Sequence, residues 1–183
     1  FLVHLAFHEQ ITRQYGRARK RMAEAEAIAR EHGLSSVLFE IYHADVSAAS
    51  AARDVAGARA ALERLRTVLN PARRMDAAYF KHQEAALLLL SGRPQEAAAA
   101  SGEAVEIGRE AGLPAMQLPH LMVLGAHALL AAGRHEDAIN RYEEAIALAA
   151  PVDKRSFAWH RDLARAQFAI ARGNEPGAIA ILA

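Results

Sequence analysis

Histidine is the residue type in this chain best suited to chemistry, with nine among 183 residues and no cysteine beside them. His4 and His8 stand one helical turn apart with Glu9 adjacent, a spacing that sets two imidazoles on one helix face as a metal site requires. The order is HxxxHE, not the zinc-protease HExxH, and no third ligand is identifiable, so the pair reads as two ordinary helix histidines and no metal is assigned. His120 and His127, two turns apart, also share a face and are read the same way. No serine occupies a GxSxG elbow, no GxxxxGK[ST] phosphate loop occurs, and the Gly-x-Gly spacing of a dinucleotide site is missing. Without cysteine there is no disulfide, thiolate metal site or thiol nucleophile. The chain is therefore expected not to be an enzyme and to carry no cofactor.

Charge narrows the partners. The formal net charge is +1, with 22 Lys and Arg against 21 Asp and Glu, and neither half carries concentrated basic charge. A nucleic-acid footprint or an anionic-membrane surface would need such a concentration. The densest basic run, RARKR from Arg17 to Arg21, is followed by Glu24, Glu26 and Glu31, and it reads as a solvated, internally paired helix face. The opening FLVHLAF is apolar for too few residues, and lacks the preceding basic region, to be a signal peptide or a membrane span. Trp159 opens a predicted helix, where core or interface packing is expected of it.

The elements that position these residues repeat. Ala18–Leu34 (ARKRMAEAEAIAREHGL) and Ala97–Leu113 (AAAASGEAVEIGREAGL) echo one another 79 residues apart. Small residues Ala18, Gly57, Ala97, Ala138 and Ala178 each open a helical stretch, in steps of 39, 40, 41 and 40. A fixed period near 40 with two helices per period signals an α-solenoid. Turn residues precede each second helix: Arg53-Asp54, Gly92-Arg93-Pro94, Gly133-Arg134 and Gly173-Asn174. The apolar content, 52% with only 6% aromatic, is chiefly alanine and leucine, the strongest helix formers. Helices are predicted over 1–14, 17–32, 35–52, 55–69, 72–91, 94–111, 115–132, 135–149, 153–172 and 175–183. With no linker composition between repeats, residues 1–183 read as a single domain, and both ends fall inside helical patterns, so an excerpt of a longer protein is expected.

The stretch Leu129–Leu148, LLAAGRHEDAINRYEEAIAL, resembles a tetratricopeptide repeat: Gly133 matches the turn glycine, Ala138 and Ala145 the two small positions of the second helix, and Tyr142 the aromatic between them. The third period keeps Gly92, Ala97 and Ala104 with Ser101 for the aromatic. Lys81 with Glu84, and Asp162 with Arg165, replace large apolar residues of the first helix by charge pairs expected on a solvated face. The longer period is similar to the variant found in helical regions of large bacterial transcription regulators. The resemblance implies an all-α, right-handed α-solenoid of about five hairpins whose first helices line a concave surface. Carried over residue by residue, that surface comprises Phe39, Tyr42 and Val46, then Tyr79, His82 and Ala86, then His120, Val123 and His127, then His160, Leu163 and Gln167. It would be aromatic, histidine-rich and nearly uncharged, suited to a helix or an apolar extended segment. The implied function is a protein- or peptide-binding scaffold, the sensing or interaction region of a cytoplasmic bacterial regulatory protein. It would have no direct nucleic-acid or membrane contact, and homo-oligomerisation stays open. The alternative is a small-molecule or metal-responsive sensor using the same His/Tyr face.

Overall fold

The computed structural model describes residues 2–11, 14–114, 117–150, 162 and 165–182, and among them all regular structure is helical. The order is α1 (Leu2–Ile11), α2 (Tyr15–Glu31), α3 (Ser35–Ala51), α4 (Val55–Val68), α5 (Arg74–Leu90), α6 (Pro94–Glu110), α7 (Leu118–Ala131), α8 (His135–Ala149), α9 (165–171) and α10 (Glu175–Leu182). The chain divides into two compact units, Phe1–Pro71 and Ala72–Ala183. In the first, α1 packs on α2 and α3 on α4, while α3 also touches α1 and α2. In the second, α5 packs on α6 and α7 on α8, with α7 also touching α5 and α6.

Six helix ends close in one way. Gly33, Arg53, Gly92, Gly112, Gly133 and Gly173 all take left-handed backbone, with φ between 57° and 76°. Each donates its N–H three residues back, and the next residue donates five back, as in Gly92 N to Leu89 O (3.1 Å) and Arg93 N to Leu88 O (3.0 Å). This Schellman pairing satisfies carbonyls that a helix end would leave open. Arg53 is the non-glycine of the set, and a Cβ there strains the backbone.

The second helices bury a stripe of small residues. The amides of Ala18, Ala58, Ala97, Ala138 and Ala178 each donate to the N-cap carbonyl of their helix at 2.9–3.1 Å. All five side chains are buried. Here the structure corrects the sequence register: Ala58, not Gly57, is the repeat position, and the steps become 40, 39, 41 and 40. Gly57 answers to the cap instead. Its N–H donates to Asp54 Oδ1 at 2.9 Å, and a Cβ would meet Asp54 Oδ2 at 2.2 Å.

Small residues also bring helices together. A Cβ on Gly125 of α7 would lie 2.7 Å from Ser101 Oγ of α6, and that hydroxyl donates to Leu121 O at 3.2 Å. Ser101 stands where α8 has Tyr142 because the backbone of α7 comes too close for a ring. A Cβ on Gly108 would meet Leu113, Leu118 and Leu121. A core in the second unit gathers Ala78, Val105, Leu113, Leu121, Met122 and Tyr142.

The charge pair Lys81/Glu84, expected on a solvated face, lies instead at the seam of its hairpin. Lys81 Nζ sits 2.9 Å from both Glu84 Oε2 and Glu103 Oε2, joining α5 to α6. Asp162 and Arg165 do form the expected i, i+3 pair, at 4.0 Å.

Candidate functional site

The first helices α3, α5 and α7 bury side chains along most of their length, and the turn residue that follows each fixes which side chains share a face. Tyr79, His82 and Ala86 precede Gly92 by the same steps as His120, Val123 and His127 precede Gly133. Those steps from Arg53 select Glu40, His43 and Ser47. Phe39, Tyr42 and Val46, assigned to the concave surface from sequence, are core residues of the first unit, with exposures of 6%, 2% and 0%. These three run one residue early, as Gly57 does relative to the repeat position Ala58. Tyr42 OH donates to Glu26 Oε1 (2.9 Å) and accepts from Arg30 Nη2 (2.8 Å), while the Arg64 guanidinium lies over its ring at 4.9 Å. Burial, then the Glu26 carboxylate, push the Tyr42 hydroxyl above its usual pKa.

In the second unit the structure does bring the expected residues together, largely by packing them on each other. His82 is buried and its ring centroid lies 4.9 Å from that of His120, tilted 48°. Tyr79 OH donates to Gln117 Oε1 at 2.8 Å. Val123 is buried in the core, whereas Ala86 and Gln167 are half-buried and His120 keeps an open edge. His127 meets Tyr142 edge-on at 6.0 Å and is hydrogen-bonded to Gln167. Burial holds both His120 and His127 below the ordinary imidazole range, the Gln167 bond opposing this at His127. His160, Leu163 and Trp159 lie outside the described residues, as do the side chains of His4 and His8. Among the described residues no group of three or more His, Cys, Asp or Glu is placed to hold a metal ion.

Two open clefts were not assigned from sequence. One, of about 360 Å³ between α6 and α8, is floored by Ala98, Ala99 and Leu129 and walled by Gln95, Asn140 and Arg141. The other, about 210 Å³ in the first unit, is lined by aliphatic side chains of α1, α2 and the start of α3. The exposed hydrophobes Ile28 and Leu34 border it, and these were the available sequence signal, since both sit in the echoed Ala18–Leu34 segment. Such surfaces can bind by burial and hydrogen bonding.

Set against known proteins, the chain matches no family model, no curated protein and no solved structure. No described helix is long and apolar enough to cross a membrane.

Proposed function

We propose that the chain is a tetratricopeptide-like helical-repeat scaffold, its hairpins stacked as a right-handed solenoid, which binds a protein or peptide as the interaction region of a regulatory protein. The observation that carries this is the identical construction of successive hairpins. The same left-handed closure, the same buried alanine and first helices that pack on one another (α1 with α3, α5 with α7) recur in both units. Modules built this way hold little but surface in common, and surface is what they offer to partners. The half-buried Tyr79, Ala86 and Gln167 and the exposed His120 of the second unit are the residues assigned to contact it, an uncharged set with two rings suited to a helix or extended segment.

A peptide library displayed on phage and selected against the folded chain tests this. Selected peptides should bind the wild type with saturation and lose most of that binding in Tyr79→Ala/His120→Ala, whose helicity by circular dichroism stays unchanged. Binding that survives the double substitution removes this face from the proposal, and selection that yields no binder at all removes the scaffold function.

A further inference from the structure

Three residues beyond the buried alanine of the repeat, α4 has Ala61 and α6 has Ala100, both buried, whereas α2 has Arg21 and α8 has Arg141. The two arginines are served differently. Nine residues before the same alanine, α1 carries Glu9, whose Oε1 accepts from Arg21 Nε at 2.8 Å. The position that answers to Glu9 on α7 is Leu129, which floors the cleft that Arg141 walls. One hairpin thus gives its guanidinium a carboxylate, and the other sets a leucine in the carboxylate's place.

Arg141 is left short of partners. Its side chain is 28% exposed, and its Nη1 stands 3.9 Å from Glu144 Oε2, beyond hydrogen-bond reach. The other oxygen of Glu144 is taken by Arg109 of α6. A guanidinium presents five N–H donors in a fork that matches a carboxylate, and holding it out of water without one costs free energy.

Room for that carboxylate exists. Helices α6 and α8 pack on α7 rather than on each other, and α6 lines the gap with Ala98 and Ala99 where α2 has Arg19 and Lys20 at the same repeat positions. The Arg134–Asp137 pair stands at the first turn of α8 and Glu144 two turns on, which sets a span of about 10 Å at about 1.5 Å per residue. A span so bounded suits a small molecule better than a chain passing through. Gln95 and Asn140 present a carboxamide from each facing helix, each both donor and acceptor.

We propose that this cleft binds a small free carboxylate that carries an amide beside a short aliphatic body, an acylated amino acid being the simplest of that class. Its carboxylate lies on Arg141 as that of Glu9 lies on Arg21. The alkyl part covers Ala98, Ala99 and Leu129, and the amide meets Gln95 and Asn140. The site uses none of the residues assigned to the peptide face, so it goes beyond the scaffold function and stands or falls apart from it.

The probe is N-acetyl-alaninate, titrated into the isotope-labelled full chain and followed by the NMR signals of the Arg141 Nε–H and the Gln95 and Asn140 side-chain amides. Saturation is expected. Affinity should fall at least about tenfold for the neutral N-acetyl-alaninamide, and equally for N-acetyl-alaninate on Arg141→Met, because a charge-assisted forked pair is lost in both. Without ligand, Arg141→Met should melt no lower than the wild type, since the charge it removes is poorly paired, whereas Arg21→Met breaks a close pair and should melt lower. No saturation, equal affinity for the neutral amide, or undiminished binding by Arg141→Met overturns the proposal. Acetate binding as tightly as N-acetyl-alaninate does so too, because Gln95 and Asn140 would then hold nothing. Saturation by the tripeptide acetyl-Ala-Asp-Ala-amide alone would assign the carboxylate to a polypeptide side chain and would also overturn it.

Discussion

Arg53 holds a φ of 57° where the other five closures have glycine, and a left-handed L-residue costs about 1–2 kcal/mol relative to the relaxed backbone. Arg53→Gly should therefore stabilise the chain by about 1 kcal/mol, part of the gain being lost to the freer unfolded chain. A higher urea midpoint at unchanged slope would report it. The turns at Gly92 and Gly133 put Tyr79 and His82 in the register of His120 and Val123, while taking Gly57 in place of Ala58 as the small position left Phe39, Tyr42 and Val46 one residue out of that register, in the core of the first unit. The histidines carry a pH dependence. His120 and His127 have folded values below the unfolded value of about 6.5, so the fold favours their neutral forms. Their stabilisation is complete above about pH 7 and is lost as pH falls through 6.5 toward the depressed folded values. The melting temperature should drop between about pH 7.5 and 5.5, and His120→Gln/His127→Gln should flatten that drop.

Helices were the most legible level, because alanine and leucine at i, i+4 and i+7 announce them and glycine ends them: α8 was expected over 135–149 and runs His135–Ala149. Contacts between helices were not. A helical period places Lys81 and Glu84 together on one face but carries no information that Glu103 lies across the seam to receive Lys81. Nor does it tell that Arg64 and Glu103, which occupy the same repeat position on α4 and α6, reach partners of opposite sign, Asp45 at 2.7 Å and Lys81. The α6–α7 approach gives a test at this level. Gly125→Ala should cost about 1–3 kcal/mol by forcing a methyl onto Ser101 Oγ. In a Ser101→Ala background the cost should be smaller, because the nearest remaining atom is the Ser101 Cβ position at 3.4 Å. A double-mutant cycle by chemical denaturation would measure that coupling, and additive effects would mean that α7 shifts as a whole to accommodate either change.

For the molecule as a whole, the period was readable from four alanines and Gly57, but how the helices pair was revealed only by the folded chain. Helix α7 buries most of its length, from Leu118 to Leu129, whereas α10 keeps Ile179 and Leu182 at 70% and 62% exposure. Opening free energy follows buried contact, so amides of α7 should exchange with deuterium more slowly than those of α10. Ion pairs between exposed side chains, such as Arg109 with Glu144 and Arg74 with Glu110, should add little, and raising the salt concentration should leave the order of protection unchanged. The common closure has one more consequence. Because Arg93 and Arg134 follow their glycines with the same two backbone bonds, Gly92 could be spliced directly to Arg134. The excised span leaves α5 facing α8 across an intact joint, so the hairpins act as interchangeable cassettes whose number can be changed by cutting at glycines.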